Sequence, residues 1–288
     1  MKAQRKLKNS IHLLPALPFF LLVIFFLLIP FVINTVIEGF TAPDTGTFTV
    51  ANFKTVFTKP VYYMAVWNSV RIAVYGTVAG IIISFFTALA VTTIGSSARA
   101  RFMPILNMTQ NFTGFPLAFA FMLMLGHSGF LRLAAEERGW EFLASYNLYT
   151  GNGMTPLFIY FAIPLGTLLL IPGFNAVREE WKESATLMGA NGFQFWTQVG
   201  LPNLAPTLFG TIGILFADSI TTYTTVYMIM GENYATLPIK IGSMFSGDSK
   251  QQTELGSALS LTMIAIILLV MGFSNYMKRR VAKGGEQQ

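Results

Sequence analysis

Cysteine is absent from this 288-residue chain, which excludes disulfide frameworks and thiolate metal sites within it. Charge is scarce: 11% of the residues are Asp, Glu, Lys or Arg, against about 25% in a soluble domain. Histidine is limited to His12 and His127. No H-E-x-x-H is present, and no histidine accompanies the Ser and Asp residues of the apolar stretches as a general base, so a membrane enzyme is a poor reading. No G-x-x-x-x-G-K-[ST] occurs, so the chain lacks that means of cradling nucleotide phosphates. A small-residue cleavage site is also missing behind the basic start MKAQRKLKNS, and the apolar run that follows exceeds a signal core of about 7–15 residues. No cleaved leader is expected.

What is present is apolar. The hydrophobic share is 53% and the mean hydropathy is +0.56. A bilayer core needs about 20 apolar residues per helix. Six segments meet that length: Leu13–Ile37, Ala65–Ile94, Pro104–Leu125, Thr155–Val177, Leu204–Met230 and Leu255–Tyr276. The reading is an all-α, polytopic membrane protein. The second and fifth segments are long enough to tilt or project. Asn107, Gln110, Asn111 and several prolines interrupt the third and fourth. Such groups are tolerated where neighbouring helices re-satisfy the backbone, which places these two inside a bundle. Gly76 and Gly80 form a small-xxx-small pair suited to close helix packing.

Charge distribution sets the orientation. With a cytoplasmic N-terminus, twelve basic residues fall inside: Lys2, Arg5, Lys6, Lys8, Arg99, Arg101, Arg178, Lys182, Lys278, Arg279, Arg280 and Lys283. Six fall outside, and Arg71 lies at a helix end. The outer loops also carry Glu136, Glu137, Glu141 and Asp248. The positive-inside rule then puts both termini in the cytoplasm. The basic clusters are read as topology signals and lipid contacts, not as a nucleic-acid surface. In the outer loops, Val50–Phe57 and Leu131–Leu143 read as short surface helices, and Ala235–Ile241 precedes the last span.

Asp218 stands out inside the fifth segment. A charge at membrane depth is costly and faces a cavity or a partner. The hydroxyl-rich run Thr221, Thr222, Tyr223, Thr224, Thr225 follows it. Two readings stay open: a polar translocation pathway, or interhelical bonding with Asp218 paired to a group such as Arg71. Asn68, beside Ser69, and Asn111, with Asn107 and Gln110, join the same argument at lower weight.

Between the fourth and fifth segments lies a polar insert, residues 178–203, on the cytoplasmic side. Glu183–Gly189 holds good helix formers before a glycine, and Gly189 and Gly192 both suit a left-handed turn. Leu201-Pro202 leads into the next span, proline being favoured in a first helical turn. The picture is a short helix across the membrane face, a glycine turn and a second helix. Trp181, Leu187 and Met188 offer apolar contact. A helix lying in the membrane surface is the plainer alternative.

The spacing Glu183, Ser184, Ala185, then Gly189, Val199 and Leu201-Pro202 resembles the EAA loop of binding-protein-dependent ABC transporter permeases. Ser184 and Val199 replace an alanine and an isoleucine of that pattern. Asn68-Ser69 and Thr236-Leu237-Pro238 resemble further stretches of the family, the latter in its polyamine and ferric-iron branch. The resemblance covers roughly 61–276. It implies residues 1–60 as a tail, extra span and external loop, 61–280 as a permease domain of the MetI-like kind, and 281–288 as a cytoplasmic tail. It also implies that Glu183, Ser184, Ala185, Gly189, Leu201 and Pro202 couple to a separate ATPase subunit, which carries ATP and magnesium. A second permease subunit, homo- or heteromeric, and a periplasmic or extracellular solute-binding protein complete the assembly. Import of a small polar solute follows, with a polyamine as the favoured cargo. Sugar, ferric iron, phosphonate, or a secondary transporter working without an ATPase are the alternatives.

Overall fold

In a computed structural model, residues 17–246 and 252–285 are described. The basic N-terminal tail with His12, the start of the first predicted span, Asp248, Lys250 and residues 286–288 lie outside them. The helices are α1 (Leu17–Leu22, carried through a π turn at Val23–Leu28 into Ile29–Gly39), α2 (Ala51–Thr58), α3 (Pro60–Thr93), α4 (Ser96–Asn111) and α5 (Phe115–Leu125). Then come α6 (Phe130–Glu137), α7 (Glu141–Ala144), α8 (Thr155–Ala176), α9 (Glu179–Leu187) and α10 (Gly192–Phe195). The last are α11 (Leu201–Thr221), α12 (Thr224–Met230), α13 (Leu237–Ser246) and α14 (Thr253–Gly285). Among the described residues, a single bridge between Thr41 and Phe48 is the only β pairing.

Six stretches are long and apolar enough to cross a membrane, as many as the sequence predicts: Pro18–Gly39, Pro60–Thr93, Phe115–Glu137, Thr155–Ala176, Gly192–Thr221 and Thr253–Val281, the third shifted into residues read as an outer loop. Two predicted spans are broken. Pro104–Leu125 divides at Phe112–Gly114, and Leu204–Met230 divides at Thr222–Tyr223. Burial also departs from expectation. The fourth span is half buried, as a bundle interior requires, but the stretch Phe115–Glu137, which holds the second half of the predicted third span, is only 22% buried. In α4, the first half of that predicted span, the Asn111 side chain donates to the Asn107 carbonyl at 2.8 Å. The surface helix read as Leu131–Leu143 is two pieces, α6 and α7, separated at Gly139.

The chain forms two compact units. The smaller comprises residues 1–59 and 241–262. There Asn52 donates to the carbonyls of Gly39 (3.1 Å) and Thr41 (2.9 Å), anchoring α2 under the end of α1. Ser257 donates to the Glu38 carboxylate at 2.9 Å.

The larger unit, residues 60–240 and 263–288, is the helical bundle. Lipid is as apolar as leucine, so contact and interhelical hydrogen bonds hold such helices together. The α3–α8 pair shows both. A Cβ on Gly76 would sit 2.8 Å from that of Phe158, and one on Gly80 would overlap Ala162. The small-xxx-small pair therefore lets two backbones meet. One turn further on, Ser84 donates to the carbonyls of Ala162 (3.2 Å) and Ile163 (3.0 Å). α11 packs against both helices. Leu117, Leu157, Phe158 and Val226 form one buried cluster, and Val91, Leu170, Phe174 and Leu204 another.

Candidate functional site

The two helix breaks face one cleft. α4 stops at Asn111; Gly114 takes φ +68°, and Pro116 occupies the first turn of α5. A left-handed residue followed by a ring without an N–H cannot continue a helix. α11 stops at Thr221, Thr222 is extended, and α12 begins at Thr224. Threonine is β-branched, and its hydroxyl competes for backbone carbonyls. Thr221 donates to the Ala217 (2.8 Å) and Asp218 (3.1 Å) carbonyls, and Thr222 donates to Asp218 O at 3.0 Å. These bonds satisfy the last turn of α11 where the ladder ends. Thr225 donates across to the Gly114 carbonyl at 3.4 Å, tying one break to the other.

Between them opens a space of about 310 Å³ lined by Gln110, Thr113, Asp218, Thr221, Thr222 and Thr225, among others. Irregular backbone at membrane depth is tolerated where it lines a cavity. Asp218 is exposed to this space and, among the described residues, is the only charged one lining it. Among the described residues its carboxylate has no ion-pair or hydrogen-bond partner. The lining offers one negative charge, several hydroxyls and an amide, which can hold a cation or a polyol.

Four of the six predicted pathway residues, Asp218, Thr221, Thr222 and Thr225, meet here. Asn68 and Asn111 are not part of the lining. Asn68 donates to the Ala235 carbonyl at 3.0 Å, and Ser69 beside it accepts from the Leu237 N–H at 2.8 Å. Both secure the segment leading into α13. The expected Asp218–Arg71 pairing does not form. Arg71 lies within α3, not at its end, and donates to the Tyr234 hydroxyl at 3.3 Å. Thr113 and Gly114 escaped the sequence reading, although Gly114 with Pro116 two residues on marks a helix break. In the segment between α7 and α8, burial pushes the Tyr146 hydroxyl's pKa above its ordinary value.

The polar insert folds as a helix, a left-handed turn and a second helix. Gly189, at φ +85°, closes α9. Ala190 N–H reaches Ala185 O and Gly189 N–H reaches Thr186 O, both at 2.9 Å. This pair of bonds satisfies two terminal carbonyls. Gly192 is not left-handed, contrary to expectation. It opens α10, where Asn191 and Gln194 cap each other reciprocally at 2.8 Å. Leu201-Pro202 stand in the first turn of α11, as expected, but α11 continues a helical run already begun. The helical run begins at Gly192 and passes a π turn at Trp196–Gly200. A wider turn just upstream accommodates a proline that has no N–H to give.

Ala185 is buried, while Glu183, Ser184 and Gly189 are exposed. Leu187 is 89% exposed, Met188 82% and Phe193 78%. Trp181 is half-buried beside the Arg178 guanidinium, 5.9 Å from its ring. An exposed apolar trio beside an open glycine turn is a surface fit for a partner. Phe193 was not foreseen from the sequence.

Residues 76–283 match the model of the family described as "Binding-protein-dependent transport system inner membrane component". The chain belongs to this family. It is thus an inner-membrane permease of an ABC importer. The permease is similar to the sulfate transport system permease protein CysW of Escherichia coli (strain K12), with 23% identity over 210 residues, 72% of this chain and 70% of that protein. It is also similar to the trehalose/maltose transport system permease protein MalG of Thermococcus litoralis, at 24% over 226 residues, 77% and 74% of the two chains. A crystal structure of a bacterial ABC transporter importing the acidic polysaccharide alginate shares the permease's fold. Its TM-score is 0.71 at 16% identity, covering 97% of this chain and 99% of that one.

Proposed function

We propose that this permease forms the path for a small cationic solute, a polyamine such as spermidine or putrescine. The observation that carries this reading is Asp218, the one charged residue lining the cleft and without a partner among the described residues. A carboxylate among hydroxyls suits an ammonium group and repels anions such as sulfate or alginate, the cargoes in the names of two similar proteins. Broken helices that line a midplane cavity are a recurrent way to build a substrate site in membrane transporters. A neutral sugar is the second reading. It is favoured by Tyr223, at the cleft, stacked on Tyr227 at 5.3 Å.

The drive comes from outside the chain. We place α9, with Glu183, Ser184, Ala185 and Gly189, and the Leu201-Pro202 approach to α11, as the element that docks on an ABC ATPase carrying ATP and magnesium. A second permease subunit and an external solute-binding protein complete the transporter. ATP shifts the assembly between two global states because it binds one of them better, and α9 transmits that shift to the bundle. Both termini lie in the cytoplasm, supported by the twelve-to-six division of basic residues.

Reconstitution of the permease with its ATPase and binding protein tests both parts. ATP-driven uptake of labelled putrescine, exceeding that of maltose or sulfate, is the expected result. Uptake that persists without the ATPase would overturn the ABC reading. A binding protein whose melting temperature rises with sulfate and not with polyamines would overturn the cargo.

A further inference from the structure

An apolar groove of about 750 Å³ runs between α3 and α11, with Ile81, Phe86, Leu208 and Ile212 in its walls. At Leu89 and Trp196 it meets a second, polar cavity of about 530 Å³, since both residues line both spaces. That cavity lies under the ends of α3 and α8. Thr92, Asn175, Arg178, Glu179 and Lys182 face it. Arg178 and Lys182 are exposed and have no ion-pair partner among the described residues; Arg178 touches only the Trp181 ring in this way. Two cations against one carboxylate leave the cavity positive.

We infer that an anionic phospholipid occupies this pair of spaces, an acyl chain in the groove and the headgroup phosphate at Arg178 and Lys182. The inference rests on the cytoplasmic placement of α9 proposed above. A continuous apolar channel ending in paired basic residues at the membrane face has the polarity profile of one lipid molecule. Basic pockets between helices on the cytoplasmic side recognise such headgroups. The first helix of a second copy fits less well. With its N-terminus cytoplasmic, that helix would bring Lys2, Arg5, Lys6 and Lys8 towards Arg178 and Lys182, and like charges would meet. The headgroup would sit at the N-terminal end of α9, so the leaflet's composition would bear on the helix proposed to receive the ATPase.

The test is native mass spectrometry of the assembled transporter, exchanged into phosphatidylglycerol or into phosphatidylcholine of the same acyl chains. The expected result is phosphatidylglycerol retained roughly tenfold better by the wild type. Arg178→Gln with Lys182→Gln should abolish that preference while leaving total acyl occupancy. Ala205→Phe, which fills the groove, should lower retention of both lipids. Equal retention of the two lipids by the wild type would overturn the inference. So would a disulfide, formed with added oxidant, between Leu208→Cys and a second cysteine introduced into a partner copy's helix, unambiguous in a chain without native cysteine. ATP-driven uptake in the same samples reads the transport proposal separately. Its loss in the wild type would sink that proposal and leave the lipid result standing.

Discussion

Gly189→Asp separates the coupling role of α9 from its folding. The glycine holds φ +85°, and a Cβ built there meets nothing within 4 Å. The folding cost is therefore backbone strain alone. A left-handed residue costs about 1–2 kcal/mol, with Asp and Asn at the low end because their short side chains bond locally. A negative charge at the C-terminal end of α9 adds about 0.3–1 kcal/mol. The sum, about 2 kcal/mol, is confined to an exposed turn, while the buried clusters of the bundle lie elsewhere. Accumulation in the membrane and detergent-resistant folding should stay near wild type, with the melting temperature down by a few degrees. Transport should be abolished, because the new side chain projects into the space a docking partner would fill. Gly189→Asn keeps the backbone demand without the charge, and Gly189→Ala raises the strain without a polar group. If docking is what fails, all three lose ATP-driven uptake and ATPase co-purification together, whatever their melting temperatures. Normal uptake by Gly189→Asp would refute the assignment. Loss of the protein from the membrane would refute the claim that strain there is local.

Other perturbations follow from the same geometry. Asp218→Asn removes a charge that bonds to no side chain among the described residues, so the protein should accumulate normally while polyamine uptake falls at least tenfold; a failure to accumulate would make Asp218 structural. Gly80→Leu forces methylenes onto the Ala162 methyl, which a Cβ at Gly80 already overlaps, and such overpacking costs about 1–3 kcal/mol or more; membrane levels should collapse, and normal levels would disprove close α3–α8 packing. Asn68→Ala loses the bond to Ala235 O, worth about 1 kcal/mol. A lower melting temperature with uptake preserved is expected, whereas unchanged melting with no uptake would return Asn68 to the pathway.

Much of the membrane architecture was legible because it depends on composition over long windows. Six apolar runs, the close glycine pair Gly76 and Gly80, and the turn at Gly189 each follow from a local rule about length, size or φ. Breaks inside spans were harder. Thr222–Tyr223 sits in an apolar window that reads as one helix, and only the loss of the ladder shows that it is two. Pro202 keeps its usual place in the first turn of α11, but the helical run starts upstream at Gly192 and reaches it through a π turn that no local rule about proline foretells. Asn68 and Asp218 show the limit for polar groups. Both are polar residues in apolar spans; the hydroxyl run after Asp218 points towards a cleft, but only the fold shows one bonded to a loop carbonyl and the other facing open space.

By itself the sequence determined that this is a six-span membrane protein with a polar insert between its fourth and fifth spans, and the spacing that marks its family. These are one-dimensional properties: hydrophobic length against bilayer thickness, and residue spacing along a single loop. The tertiary structure alone decided that the break at Gly114 opposes the break at Thr222, that Asp218 faces the space between them, and that Arg71 turns away to Tyr234. Those facts join residues more than a hundred positions apart. Only the packing of α3, α8 and α11 brings them together or keeps them separate.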